Sequence, residues 1–239
     1  MKFAKYGVLL LFFLSAGISP HPIEAYQEAP DPSSVTVTGQ VTFKGNIPKP
    51  KTVQVVRDQA FCGKSVSDDS LLVDAQSKGI AHVIVNLKEI ATGKALPKKA
   101  PLKVDNRECR FEPSVSLGMT GSVLEISSAD PILHNTHIIQ NEQTFLNVAL
   151  PPGGRTIRKK IVQPGPMIVR CDAHEFMRAS IHIFNHPYYS STDPKGGFKL
   201  TGVPPGSYTL QFWHQTLGMK ELSITVKKAT PLVVDVSFP

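Results

Sequence analysis

Cys171, His174 and Met177 fall within one run of seven residues, Cys-Asp-Ala-His-Glu-Phe-Met. A thiolate, an imidazole and a thioether in a single short loop make a soft donor set. Such a set suits copper, which cycles between soft Cu(I) and harder Cu(II). The expected arrangement is trigonal, two imidazoles and one thiolate, with a weak axial thioether. The loop carries one histidine, so the second must arrive from elsewhere in the chain. Singly, these residues read as a small buried hydrophobe, a core filler and a solvated imidazole. Their joint spacing is what points to a metal.

The missing imidazole is sought in Ser128-Ala-Asp-Pro-Ile-Leu-His134-Asn-Thr-His137. Pro131 cannot donate to a central ladder, which places His134 on a constrained loop at a strand end. His137 falls on the opposite face of any extended segment and is the less suited ligand. His182, His186 and His214 match no closed metal motif and are expected to be structural. HExxH, CxxC and a Gly-rich phosphate loop are all absent, and no Ser/His/Asp set can be assigned, which argues against an enzyme.

These residues need elements to position them. The chain has 20 Pro and 17 Gly between short alternating runs, the pattern of an all-β protein. Met167, Val169 and Cys171 alternate with Ile168 and Arg170, a strand feeding the ligand loop. Ile181 and Ile183 begin a second strand beyond it. Val35 to Phe43 alternates with threonines, interrupted by Gly39, and Val83 to Leu87 and Val123 to Ser127 are further strands. Residues 57–72 show no clear period. Beyond Asn185, Tyr208 to Phe212, Leu222 to Val226 and Leu232 to Phe238 read as strands joined by turn residues.

The N-terminus reads as a processing signal over 1–25: Lys2 and Lys5 precede an apolar core from Gly7 to Ser19, too short to span a bilayer, and Ala25 offers a small residue for cleavage. Residues 26–33 read as a disordered lead-in. Export makes the product periplasmic or secreted, with no membrane span after cleavage. Removing two of the 26 basic and one of the 19 acidic residues lowers the formal charge from +7 to +6. Basic clusters such as Arg155 to Lys160 read first as solvated strand edges kept from wrong pairing by their charge, and they also suit steering of an acidic protein partner. They lack interleaved aromatic platforms and do not point to nucleic acid. If Cys171 binds metal, Cys62 and Cys109 are left either as a disulfide, which an oxidising compartment permits, or as two buried thiols.

Residues 101–186 resemble a cupredoxin, most closely the amicyanin and plastocyanin branch. Gly121-Ser-Val-Leu-Glu-Ile-Ser followed by Leu133-His134-Asn135-Thr-His137 is similar to that family's first-histidine segment, and Pro164-Gly-Pro-Met-Ile-Val-Arg-Cys171-Asp-Ala-His174-Glu-Phe-Met177-Arg178 to its closing loop. The resemblance implies a Greek-key β-sandwich holding one type 1 copper ion, with His134, Cys171 and His174 equatorial and Met177 axial. Asn135 would support the loop around the thiolate by hydrogen bonding. Residues 187–239 resemble the second half of a carboxypeptidase regulatory-like, or prealbumin-like, β-sandwich, through Thr192-Asp193, Gly197-Phe198 and Val203-Pro-Pro-Gly-Ser-Tyr208. Residues 34–100 are expected to supply its first half. The function implied is one-electron transfer with a redox protein outside the cytoplasm. Copper delivery, and a metal-free structural or adhesion module, stand as alternatives.

Overall fold

The computed structural model describes residues 25–49 and 51–239; the leader expected over 1–25 lies, but for Ala25, outside the described residues. The chain opens with β1 (Gln27–Glu28) and β2 (Val35–Phe43), followed by a small flap of β3 (Thr52–Gln54), the helical turn α1 (Gln59–Cys62) and β4 (Ser65–Ser67). β5 (Ile84–Lys88) and β6 (Thr92–Gly93) come next. A second unit comprises β7 (Leu102–Arg107), β8 (Arg110–Glu112), β9 (Val115–Met119), β10 (Val123–Ser128), β11 (His134–Gln140), β12 (Gln143–Leu150), β13 (Ile157–Lys160), β14 (Gly165–Arg170) and β15 (Arg178–Phe184). The chain ends with β16 (Tyr189–Ser191), β17 (Gly197–Val203), β18 (Gly206–His214), β19 (Gly218–Val226), β20 (Leu232–Val233) and β21 (Val236–Phe238). The protein is all-β. No helix among the described residues is long and apolar enough to cross a membrane.

The strands form two sandwiches, one interrupting the other. In the outer sandwich β2 hydrogen-bonds to β17, β20 and β21, and β5 lies between β16 and β18, with β19 beyond. Its two halves thus come from either side of residues 101–186. The alternation in β2 explains its place: Val37 and Val41 are fully buried against Leu87, Phe212 and Phe238, while the intervening threonines face outward. Gly39 has a steric reason. A Cβ there would sit 1.8 Å from the carbonyl oxygen of Val234, so only glycine lets the two backbones approach. Thr192 ties the halves together: its Oγ1 donates to the carbonyl of Ile80 at 2.6 Å and accepts the N–H of Val83 at 2.9 Å.

The lead-in differs from its expected disorder. Gln27 and Glu28 pair in parallel with Thr92 and Gly93, and the Tyr26 hydroxyl donates to the carbonyl of Lys94 at 2.6 Å. Tyr26 also meets Tyr188 edge to face, with ring centroids 6.4 Å apart. Aromatic burial of this kind orders a segment that its polar composition alone would leave loose.

The inner sandwich stacks β13-β10-β7-β8 on β12-β11-β14-β15-β9. Val104, Leu124, Ile126, Ile138, Met167 and Ile181 form its core. β15 is buried along both faces from Ala179 to Ile183, because the face turned away from this core packs on the outer sandwich. At one end of the inner sandwich β11 begins and β14 ends, side by side.

Candidate metal centre

β11 and β14 are antiparallel, with His137 opposite Arg170. This register brings the start of β11 beside Cys171, the first residue past the end of β14. His134 is the first residue of β11, a small departure from the expected loop: the irregular backbone that Pro131 requires ends just before it. The 171–177 segment then folds on itself. The N–H of Met177 donates to the carbonyl of His174 at 2.9 Å, and the N–H of Cys171 to the carbonyl of Met177 at 3.3 Å.

The result is one buried cluster. Donor atoms of His134, Cys171 and His174 all lie within 4.8 Å of one another. Nδ1 of His174 is 3.7 Å from Sγ of Cys171, and the two imidazole centroids are 4.9 Å apart. Met177 is buried in the same apolar core as Cys171. Cys171 is the free cysteine; Cys62 and Cys109 form a disulfide across 47 residues of sequence.

Each imidazole has one nitrogen held by a carboxylate. Nε2 of His134 lies 2.8 Å from Oδ2 of Asp130, and Nε2 of His174 lies 2.8 Å from Oδ2 of Asp58. The remaining nitrogen of His134, Nδ1, is fully buried and has no hydrogen-bond partner among the described residues. An orphaned buried acceptor costs on the order of 1–3 kcal/mol unless something satisfies it. Burial pushes the His134 pKa below its ordinary value, partly offset by Asp130, and so keeps the ring in its neutral, ligating form. An unpartnered nitrogen, a free thiol and a second imidazole converging in a dry site fit a soft metal ion.

The surrounding hydrogen bonds hold this geometry. The backbone N–H of Asn135 points at Sγ of Cys171 from 3.4 Å, and the Asn135 side-chain oxygen accepts the N–H of Asp172 at 2.9 Å. The Asn135 amide also donates to Asn147. His137 is turned to other work: Nδ1 lies 3.0 Å from Asp172 and Nε2 3.0 Å from Thr144. No sequence pattern marks Asp130 or Asp58. Asp130 lies four residues before His134 without any periodic signal, and Asp58 is 116 residues from its histidine, in the segment that shows no pattern.

No family model matches the chain, and no curated protein matches it. Among solved structures it is similar to a copper-containing nitrite reductase from Thermus scotoductus, at 24% identity over 39% of this chain with a TM-score of 0.34. The match spans only 24% of that reductase's length. A purple cupredoxin from Nitrosopumilus maritimus is 13% identical over 34% of this chain and 98% of its own, with a TM-score of 0.31. Amicyanin from Paracoccus versutus is 15% identical over 37% and 85%, with a TM-score of 0.32.

Proposed function

We propose that this protein is an exported copper protein that passes single electrons to and from a redox partner, with His134, Cys171, His174 and Met177 as the ligands of one type 1 copper ion. The observation that carries the reading is the buried, unpartnered Nδ1 of His134 beside the thiol of Cys171 and the imidazole of His174. A copper ion held there would supply a one-electron couple. The chain's own part is to keep the donors fixed. Asp130 and Asp58 orient the rings, and the Asn135 N–H accompanies the thiolate.

The four side chains are all enclosed by protein, each no more than 2% exposed. This enclosure supports a carrier over an enzyme, because a catalytic metal needs a position open to substrate. The Cys62–Cys109 disulfide suits an oxidising compartment, in keeping with a leader and a periplasmic or secreted product. The basic residues around β13 suit an acidic redox partner. The outer sandwich we take as a regulatory-like frame.

A second reading, copper storage and delivery, draws on one observation: the outer edge of His174 is covered by Asp58. The test is a visible absorption spectrum of the full chain with Cu(II), beside Cys171→Ser. An intense charge-transfer band lost in the variant supports the copper–thiolate centre. A colourless protein that retains zinc, or no metal, overturns it. Reversible voltammetry with metal kept in both oxidation states decides for electron transfer over delivery.

A further inference from the structure

The disulfide joins the two segments whose carboxylates hold the two imidazoles. On one side Cys62 closes α1, and the N–H groups of Phe61 and Cys62 both donate to the carbonyl of Asp58, the residue on His174. On the other side the N–H groups of Glu108 and Cys109 donate to the carboxylate of Asp130, the residue on His134, at 2.7 and 2.9 Å. Sγ of Cys109 itself lies within 4.8 Å of a ring nitrogen of His134. One covalent bond therefore fixes both partners of the cluster.

The flap that carries Asp58 has little else to hold it. Among the described residues β3 and β4 pair only with each other, α1 contributes no buried residue, and Val56 and Phe61 are exposed. Val55 is buried, and Asp69 pairs with Arg110 at the surface. Beneath the flap runs a cleft of about 860 Å³, lined by Val53 and Val66 on one side and Cys109, Phe176 and Met177 on the other. A segment with so few buried apolar contacts opens at low cost once its tether is cut.

Asp58 is also placed against its local preference. It occupies the N-cap position of α1, where an aspartate ordinarily accepts a backbone N–H of the first turn. Here its side chain makes no cap bond; its backbone sits in the left-handed region at φ 55°, and the carboxylate reaches His174 instead.

We propose that the Cys62–Cys109 disulfide is a reducible latch on the metal centre: while intact it seals the cluster beneath Asp58, and reduction by a dithiol opens it. The proposal rests on reading the cluster as a metal centre. Cys62 is half-buried whereas Cys109 is fully buried, so exchange starts at Cys62. A thiolate of the dithiol attacks Sγ of Cys62, the S–S bond breaks, and Cys109 leaves as a thiolate that takes up a proton. The second thiol of the reductant then displaces Cys62, leaving two protein thiols and a cyclic disulfide. Two electrons and two protons pass from the dithiol to the protein.

Cys171 reports on the latch without any metal. In the metal-free full chain, N-ethylmaleimide should modify Cys171 slowly, and roughly tenfold or more faster in the folded Cys62→Ser/Cys109→Ser variant. Dithiothreitol on the parent should reproduce the rise at Cys171, read peptide by peptide. If the double variant fails to fold by circular dichroism, the dithiothreitol rate on the folded parent decides the matter; Asp58→Ala, which keeps the disulfide, should also raise the rate and tests the cover that Asp58 gives. Rates within twofold of the parent in the folded variants overturn the latch. The Cu(II) band of the same preparations separates the two ideas: a band without a rate change rejects the latch and keeps the metal centre, whereas a rate change without a band keeps the gate and rejects the metal.

Discussion

The ring of His182, on β15 of the inner sandwich, lies with its centroid 4.4 Å from that of Trp213, on β18 of the outer one. The two sandwiches thus meet through an imidazole that is nine-tenths buried, and its Nε2 has no hydrogen-bond partner among the described residues. A charged ring there would be desolvated and uncompensated. The interface is built for the neutral form.

That requirement makes stability depend on pH. Burial pushes the pKa values of His182, His186 and His214 down to about 4 from an ordinary 6.5. Below pH 6.5 the unfolded chain takes up protons that the native state refuses, so stability is full above 6.5 and is lost as pH falls towards 4. At pH 5 the loss is roughly 2 kcal/mol per imidazole. Urea unfolding of the metal-free protein at pH 7 and pH 5 measures it, and equal midpoints would sink the idea.

Asp130 should matter twice, to the cluster and to the Glu108–Cys109 turn. Asp130→Asn keeps the shape and removes the charge. We expect metal affinity to fall by about 10- to 100-fold. Competition against a chelator of known affinity provides the check; unchanged affinity would mean that Asp130 only shapes the turn.

Asn135→Ala removes the side-chain oxygen that receives the N–H of Asp172, while the backbone N–H on Cys171 stays. The visible band should therefore persist, with metal lost about tenfold faster and a stability cost of about 1 kcal/mol. Stopped-flow removal of the metal by a chelator reads the rate directly. A variant that releases metal at the parent rate would show that the loop holds itself.

Thr192→Val leaves the carbonyl of Ile80 and the N–H of Val83 without their buried partner. The expected cost is about 1–3 kcal/mol, with no change in the visible spectrum, because the site lies in the other sandwich. Thermal unfolding beside the absorption spectrum separates the two effects.

Much of this was readable from local pattern. The period-two alternation of residues 35–43 and 123–127 anticipates β2 and β10, and the alternating runs on either side of the Cys-His-Met loop anticipate β14 and β15. What escaped were contacts that leave no local trace. Asp58 sits in a polar stretch that holds a single helical turn and the three-residue β4, and its partner is far along the chain. The two-sided burial of β15 had the same cause: its second covering face belongs to another sandwich, and alternation describes one face at a time.

The interrupted topology sets an order of assembly. As the chain grows from its N-terminus, β7 to β15 are complete and able to close while β16 to β21 do not yet exist. β2 and β5, whose ladders are supplied almost wholly by those later strands, must wait as bare edges open to wrong pairing. The inner sandwich therefore closes first, and the frame around it closes last.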